Sequence, residues 1–129
     1  MIQTVTIDNS AKSTNPNNNE NYYNEGINNF ACENTNDKVF LLSLQEATNE
    51  AYGFAAVATT YDLLRRKQST EYAKAQGKFL SAGNGPWWYR SPGYFSSSAW
   101  RVQSNGTVST CSVHVTDNGV VPAIKVRLS

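Results

Sequence analysis

Trp87-Trp88-Tyr89-Arg90, followed directly by Ser91-Pro92-Gly93, constrains this chain more than any other stretch. The run reads as a β-strand, whose alternate side chains face opposite ways. Trp87 and Trp88 are assigned to the core. Arg90 is expected to bond backbone or a carboxylate. A ring left on the outer face is available as an aromatic platform. Pro92 and Gly93 end the strand and open a loop.

The rest of the chain has to build a fold around that strand. Its 129 residues fit one domain, and 40% of them are apolar, enough for an independent core. Only 16% are charged, so the polar surface is mostly asparagine, serine and threonine. Net charge is +1 and the basic residues cluster only at Arg65-Arg66-Lys67, so no nucleic-acid footprint is visible. No run approaches the ~18 apolar residues of a membrane span. Met1-Ile2-Gln3-Thr4-Val5-Thr6 has neither a basic nor an apolar leader region, so it is not read as a signal peptide. That leaves a removed leader, a cytoplasmic chain, or one carried on a phage particle.

Residues 1–36 read as an irregular, asparagine-rich segment, with Asn15-Pro16-Asn17-Asn18-Asn19 as turn chemistry. Tyr22, Tyr23, Ile27 and Phe30 are expected to pin it to the core. Regular structure is expected from residue 37. Lys38-Val39-Phe40-Leu41-Leu42 reads as a short buried strand. Ser43-Leu44-Gln45-Glu46 is a capping box that starts a helix from Leu44 to Tyr52, stopped by Gly53. Tyr61, Leu63 and Leu64 should be buried, and the basic triplet after them solvated. A second helix is expected with Ser69 as N-cap and Gly77 just past its end.

After Gly83-Asn84-Gly85-Pro86 the pattern is β. Trp87–Arg90 and Ala99–Gln103 are strands, Asn105-Gly106 suits a type I′ hairpin turn, and Val108–Val115 pairs back. Ile124, Val126 and Leu128 alternate with Lys125 and Arg127, which predicts a last strand with one buried face. The expected core is Val39, Leu41, Leu44, Tyr72, Trp87, Trp88, Val102, Val108, Val115, Ile124, Val126 and Leu128.

Four motifs in order carry a resemblance. They are Asp37-Lys38-Val39-Phe40-Leu41-Leu42-Ser43, Glu71-Tyr72-Ala73-Lys74-Ala75-Gln76-Gly77, Trp87 to Gly93, and Gly119-Val120-Val121-Pro122-Ala123. From residue 35 to 128 the chain resembles an uncharacterised bacterial domain family, common in gut bacteria and often part of larger surface or secreted proteins. That family is similar to the formylglycine-generating-enzyme branch of the C-type-lectin-like fold. The chain departs from it at Val121, where arginine is usual, and at Tyr89, where leucine is usual. Members commonly carry more sequence ahead of this point, so the chain is either a trimmed domain or a short one. The resemblance implies an α+β, C-type-lectin-like domain of two short helices and a twisted antiparallel sheet, at an extracellular or cell-surface location.

Sequence chemistry argues against catalysis. The E-P-N, Q-P-D and W-N-D tripeptides of calcium-dependent lectins are absent, and the carboxylates show no ligand spacing. His114 is the only histidine and has no evident partner to serve as a base. Cys32 and Cys111 lack metal spacing; two free thiols are expected, with a disulfide as the alternative. No metal or cofactor is expected.

Binding chemistry falls between Gly93 and Thr116. The candidate ligand-binding residues are Tyr94, Phe95, Ser96, Ser97, Trp100, Arg101, Gln103, Ser109, Cys111, Ser112, His114 and Thr116. Aromatic rings supply contact area at low entropy cost, and serine supplies adaptable hydrogen bonds. The resemblance adds one implication, because C-type-lectin-like domains are the usual targets of diversity-generating retroelements. Phe95, Ser96, Ser97, Ser109, Cys111, Ser112, His114 and Thr116 are residues that mutated asparagine codons encode; Trp100 and Gln103 are not. The sequence therefore points to a non-enzymatic binding or display module for a protein or glycan, monomeric or homodimeric. The alternatives are a structural domain of a larger surface protein and a degenerate relative of the formylglycine-generating oxidases.

Overall fold

The computed structural model describes residues 1–15, 30–58, 60–77, 81 and 83–128. Tyr22, Tyr23, Ile27 and the run from Pro16 to Asn19 lie outside them. Two short helices and two antiparallel sheets make a mixed α+β chain that is mostly β.

The larger sheet has the order β3-β4-β5, from Trp87–Pro92, Ser98–Val102 and Val108–Ser112. Alternation along β3 is strict: Trp87, Tyr89 and Ser91 are buried while Trp88, Arg90 and Pro92 are half-buried. Tyr89, not Trp88, is thus the second core ring, as the two-residue period requires. Trp87 and Tyr89 meet edge to face at 4.9 Å and 82°. Register shifts between Trp88 and Pro92, so the middle of β3 leaves β4. Its outer edge is covered instead: Trp88 N donates to Gly119 at 3.1 Å and Arg90 N to Leu42 at 3.0 Å. Leu44, Ala47, Ala58, Trp100, Val102 and Val108 complete the core with Trp87 and Tyr89.

The turn between β4 and β5 differs from the expected two-residue form. Gly106 N donates to Gln103 O at 2.9 Å and Gln103 N to Thr107 O at 2.7 Å, so three residues make the connection. Gly106 lies at φ +87°, the left-handed position that follows a type I turn in such hairpins.

The smaller sheet pairs β1 (Val5–Ile7) with β2 (Thr35–Asp37). Both lie largely in the segment read as irregular, where three-residue strands leave too short an alternation to stand out. Residues 1–3 run antiparallel to 125–127 through Gln3 N to Lys125 O at 2.9 Å and Arg127 N to Met1 O at 3.1 Å.

The capping box forms as expected. Ser43 Oγ accepts from Glu46 N at 3.1 Å, and Glu46 accepts from Ser43 N at 2.8 Å. It starts α1 (Leu44–Ala47), which stops well short of Tyr52. Asn49 ends it by capping a separate 3-10 turn, Glu50–Tyr52, through Ala51 N at 2.9 Å. The second helix, α2 (Glu71–Ala75), is capped by Thr70 rather than Ser69, at 3.1 Å from Ala73 N.

Several apolar residues expected inside are at the surface. Val39 is 58% exposed and Tyr72 76%, while Phe30, Tyr61, Leu63 and Leu64 are also exposed. The Val39–Leu42 run contributes a bridge from Phe40 to Ala123 and no strand. Ile124, Val126 and Leu128 alternate but sit exposed, Leu128 at 90%, in a segment held only by isolated bridges. Leu41, Trp88 and Val115 are half-buried.

The basic triplet gives the largest correction. Arg65 is completely buried. Its Nε donates to Gly106 O at 2.8 Å, Nη1 to Ala47 O and Ala55 O at 3.3 and 3.0 Å, and Nη2 to Val57 O and Thr60 O at 3.2 and 2.8 Å. Irregular backbone at residues 53–58 and at Thr60 leaves carbonyls without ladder partners, and one guanidinium supplies them. Asp62 lies 3.6 Å from Nε, and Trp87 Nε1 donates to Arg65 O at 3.0 Å. Burial pushes the Arg65 pKa down, with Tyr89 and Asp62 acting against that.

Candidate functional site

The β4–β5 register decides which candidate side chains share a face. Trp100 opposes Thr110 and Val102 opposes Val108, and this face turns into the core. Trp100, counted among the candidates, is therefore a buried core ring. Ala99 opposes Cys111 and Arg101 opposes Ser109 on the outer face, with Trp88 of β3 across from Arg101. Arg101, Ser109 and Cys111 are all half-buried there.

The remaining candidates separate to the two ends of the hairpin. At one end the turn 94–97 is closed by Ser98. Ser98 N donates to Phe95 O at 3.0 Å, Ser98 Oγ donates to the same carbonyl at 3.1 Å, and Phe95 N donates back to Ser98 Oγ at 3.1 Å. Gly93 N donates to Ser98 O at 2.8 Å. A side chain at Gly93 would run into the Ser98 hydroxyl, which explains the glycine. Val113 N donates to Ser97 O at 2.8 Å, which lays the 112–114 turn alongside. Tyr94, Phe95, Ser96, Ser97, Ser112 and His114 are thereby gathered on one exposed tip. Phe95 is 72% exposed, and Tyr94 leans on Trp100 with ring centroids 6.1 Å apart. Thr116 is exposed farther along the chain.

At the other end Arg101 and Gln103 line a cleft of about 220 Å³ with Pro86, Ser104 and Asp117. Arg101 Nη1 donates to Asn118 Oδ1 at 2.8 Å. The sequence reading did not single out Ser104, Asp117 or Asn118. Their placement depends on Gly119 bonding both Pro86 and Trp88, a contact over 30 residues that no local pattern announces.

Arg90 makes the expected structural bonds. It reaches Glu46 at 2.6 and 3.1 Å, Leu41 O at 2.6 Å and Asp8 O at 3.0 Å. It thereby ties β1's end and α1 to the sheet. Cys32 is exposed, Cys111 half-buried, and both are free thiols. Among the described residues no group of three His, Cys, Asp or Glu side chains converges on a metal position. No described helix is long and apolar enough to cross a membrane.

Comparison with curated proteins and with solved structures finds no match. The family match is more extensive than the motifs suggested, since it reaches back over β1 to residue 2. Over residues 2–128 the sequence matches the family described as Domain of unknown function (DUF6273), and the chain belongs to it.

Proposed function

We propose that this chain is a non-enzymatic binding module, on a C-type-lectin-like scaffold, that meets a protein or glycan with the tip formed by residues 94–97 and 112–114. The observation that carries the reading is the clamped turn. Ser98 fixes the 94–97 backbone from both its main chain and its hydroxyl, while Phe95 stands in solvent. An exposed ring on a rigid turn loses little entropy when a partner covers it. Neighbouring Ser96, Ser97, Ser112 and His114 offer hydrogen-bonding groups around that anchor. The scaffold assignment rests on the four ordered motifs and on two short helices preceding the larger sheet.

The test is a glycan array read in parallel with a displayed random-peptide library, probed with the intact chain and a Tyr94→Ala/Phe95→Ala variant. The expected result is a defined set of ligands whose capture falls ~10-fold or more in the variant, with an unchanged melting profile. Equal capture by both proteins removes the tip as the binding face.

A further inference from the structure

We propose that the cleft at the opposite end of the hairpin is a second site, for a small monocarboxylate that carries a hydrogen-bond donor beside its carboxylate. Arg101 is the first reason. Its one hydrogen bond among the described residues uses Nη1, to Asn118 at 2.8 Å. Nε is buried with no acceptor among those residues. Nε–H and an Nη2–H form one edge of a guanidinium, and that edge is the fork that grips a carboxylate through two parallel bonds. The Nη1 bond holds the arginine while this edge is left to a ligand. Asn118, which Arg101 bonds but which does not itself line the cleft, carries a further buried donor, Nδ2, without an acceptor among the described residues. Buried donors need an oxygen from solvent or from a ligand.

Asp117 supplies the selectivity. It lines the same cleft as Arg101, yet the two form no ion pair within 4.0 Å. The cleft thus offers a cation and an anion apart from each other. Asp117 repels a polyanion and accepts from an ammonium or hydroxyl next to the ligand's carboxylate. Gln103 and Ser104 add neutral polar groups, and a volume of about 220 Å³ limits the occupant to a small molecule or the end of a chain. An α-amino acid and a uronic acid share this chemistry.

The experiment is a titration of the ¹⁵N-labelled full chain, following the Arg101 Nε–Hε resonance. Glycine and D-glucuronate are the two probes, and acetate and inorganic phosphate are the comparisons. A saturable shift with glycine or with glucuronate, at a Kd on the order of millimolar, is expected; which one responds identifies the source. Acetate should bind ~10-fold more weakly and phosphate should not compete. Arg101→Lys, which keeps the charge and loses the fork, should weaken binding ~10-fold. Asp117→Asn should bring acetate level with the better probe. No saturable shift, or equal responses to acetate and phosphate, overturns the proposal and leaves solvent as the occupant. The Tyr94→Ala/Phe95→Ala protein should keep the response, so failure of the tip and failure of the cleft are separate results.

Discussion

Replacing Arg65 by lysine keeps the charge and removes the geometry. Five carbonyls, of Ala47, Ala55, Val57, Thr60 and Gly106, take the guanidinium's hydrogen bonds at 2.8 to 3.3 Å. A lysine ammonium has three donors on one atom, so at least two of these carbonyls lose their donor. Hydrogen bonds to a charged group contribute about 1.5 kcal/mol or more each, which puts the loss near ~3 kcal/mol. Against a total of ~5–15 kcal/mol for a domain, that is a large fraction. In urea the midpoint should fall by ~1–2 M with the slope unchanged. Tryptophan fluorescence reads the transition directly, because Trp87 Nε1 bonds the Arg65 carbonyl at 3.0 Å. Arg66→Lys is the matched control. Arg66 is half-buried and its Nε makes one bond, to Asn105 O at 3.1 Å, so its loss should stay under about 1 kcal/mol. A loss below about 1 kcal/mol for Arg65→Lys would refute the view that one side chain holds together the irregular backbone that carries Ala55, Val57 and Thr60.

Gly106→Ala should cost about 3 kcal/mol or more in the same urea assay. Gly106 combines φ +87° with a Cβ position that overlaps the Asp62 backbone carbonyl. Gly77→Ala, at φ +79° with open space around it, should cost only about 1 kcal/mol. Tyr89→Phe should be neutral or stabilising by up to about 1 kcal/mol, because the Tyr89 hydroxyl is buried without a hydrogen-bond partner among the described residues; a clear loss of thermal stability would contradict this. Ser10 holds the Asp8 carboxylate below the ordinary aspartate pKa, outweighing its partial burial, with Arg90 and Lys12 adding to the effect. The stability this lends is complete above the ordinary value of about 4 and is lost as pH falls through the lower folded value. Urea midpoints measured from ~pH 6 to ~pH 2.5 should therefore fall less steeply for Asp8→Asn than for the unaltered chain.

What the sequence discloses here is what short range determines. Ser43 and Glu46 are three residues apart and need only each other, so their box was legible. β3, β4 and β5 are adjacent in the chain, so the strands and the place of the β4–β5 turn can be read without the rest, although the turn's two-residue form and Trp88's place in the core were misread. The misread parts depend on distant partners. Ile124, Val126 and Leu128 alternate as a half-buried strand would, but they sit exposed and no layer among the described residues covers them, so the pattern has no core to match. β1 and β2 are three residues each and are separated by nearly thirty. Arg65, Arg66 and Lys67 look equivalent as a charge run. Which one is buried depends on where the carbonyls of Ala47, Ala55, Val57, Thr60 and Gly106 converge. In the candidate binding set, composition singled out one hairpin but not how its side chains divide between faces and ends. Only register could send Trp100 inward and place Phe95 and Gln103 at opposite ends.

That division has a consequence for how the hairpin tolerates change. At the tip, the bonds that shape the turn come from backbone groups and from Ser98, so Phe95, Ser96, Ser97 and His114 are not needed to hold it. Exposed substitutions of that kind usually shift stability by no more than about 0.5 kcal/mol. At the opposite end Gly106 is pressed against Asp62 and accepts from Arg65, so backbone and side chain there are fixed together. One end of the hairpin is anchored in the most constrained part of the fold, and the other is free in composition while fixed in shape. A scaffold arranged this way separates the residues that determine folding from those that can determine recognition. That separation is what a binding module needs if its contact residues are to vary without unfolding it.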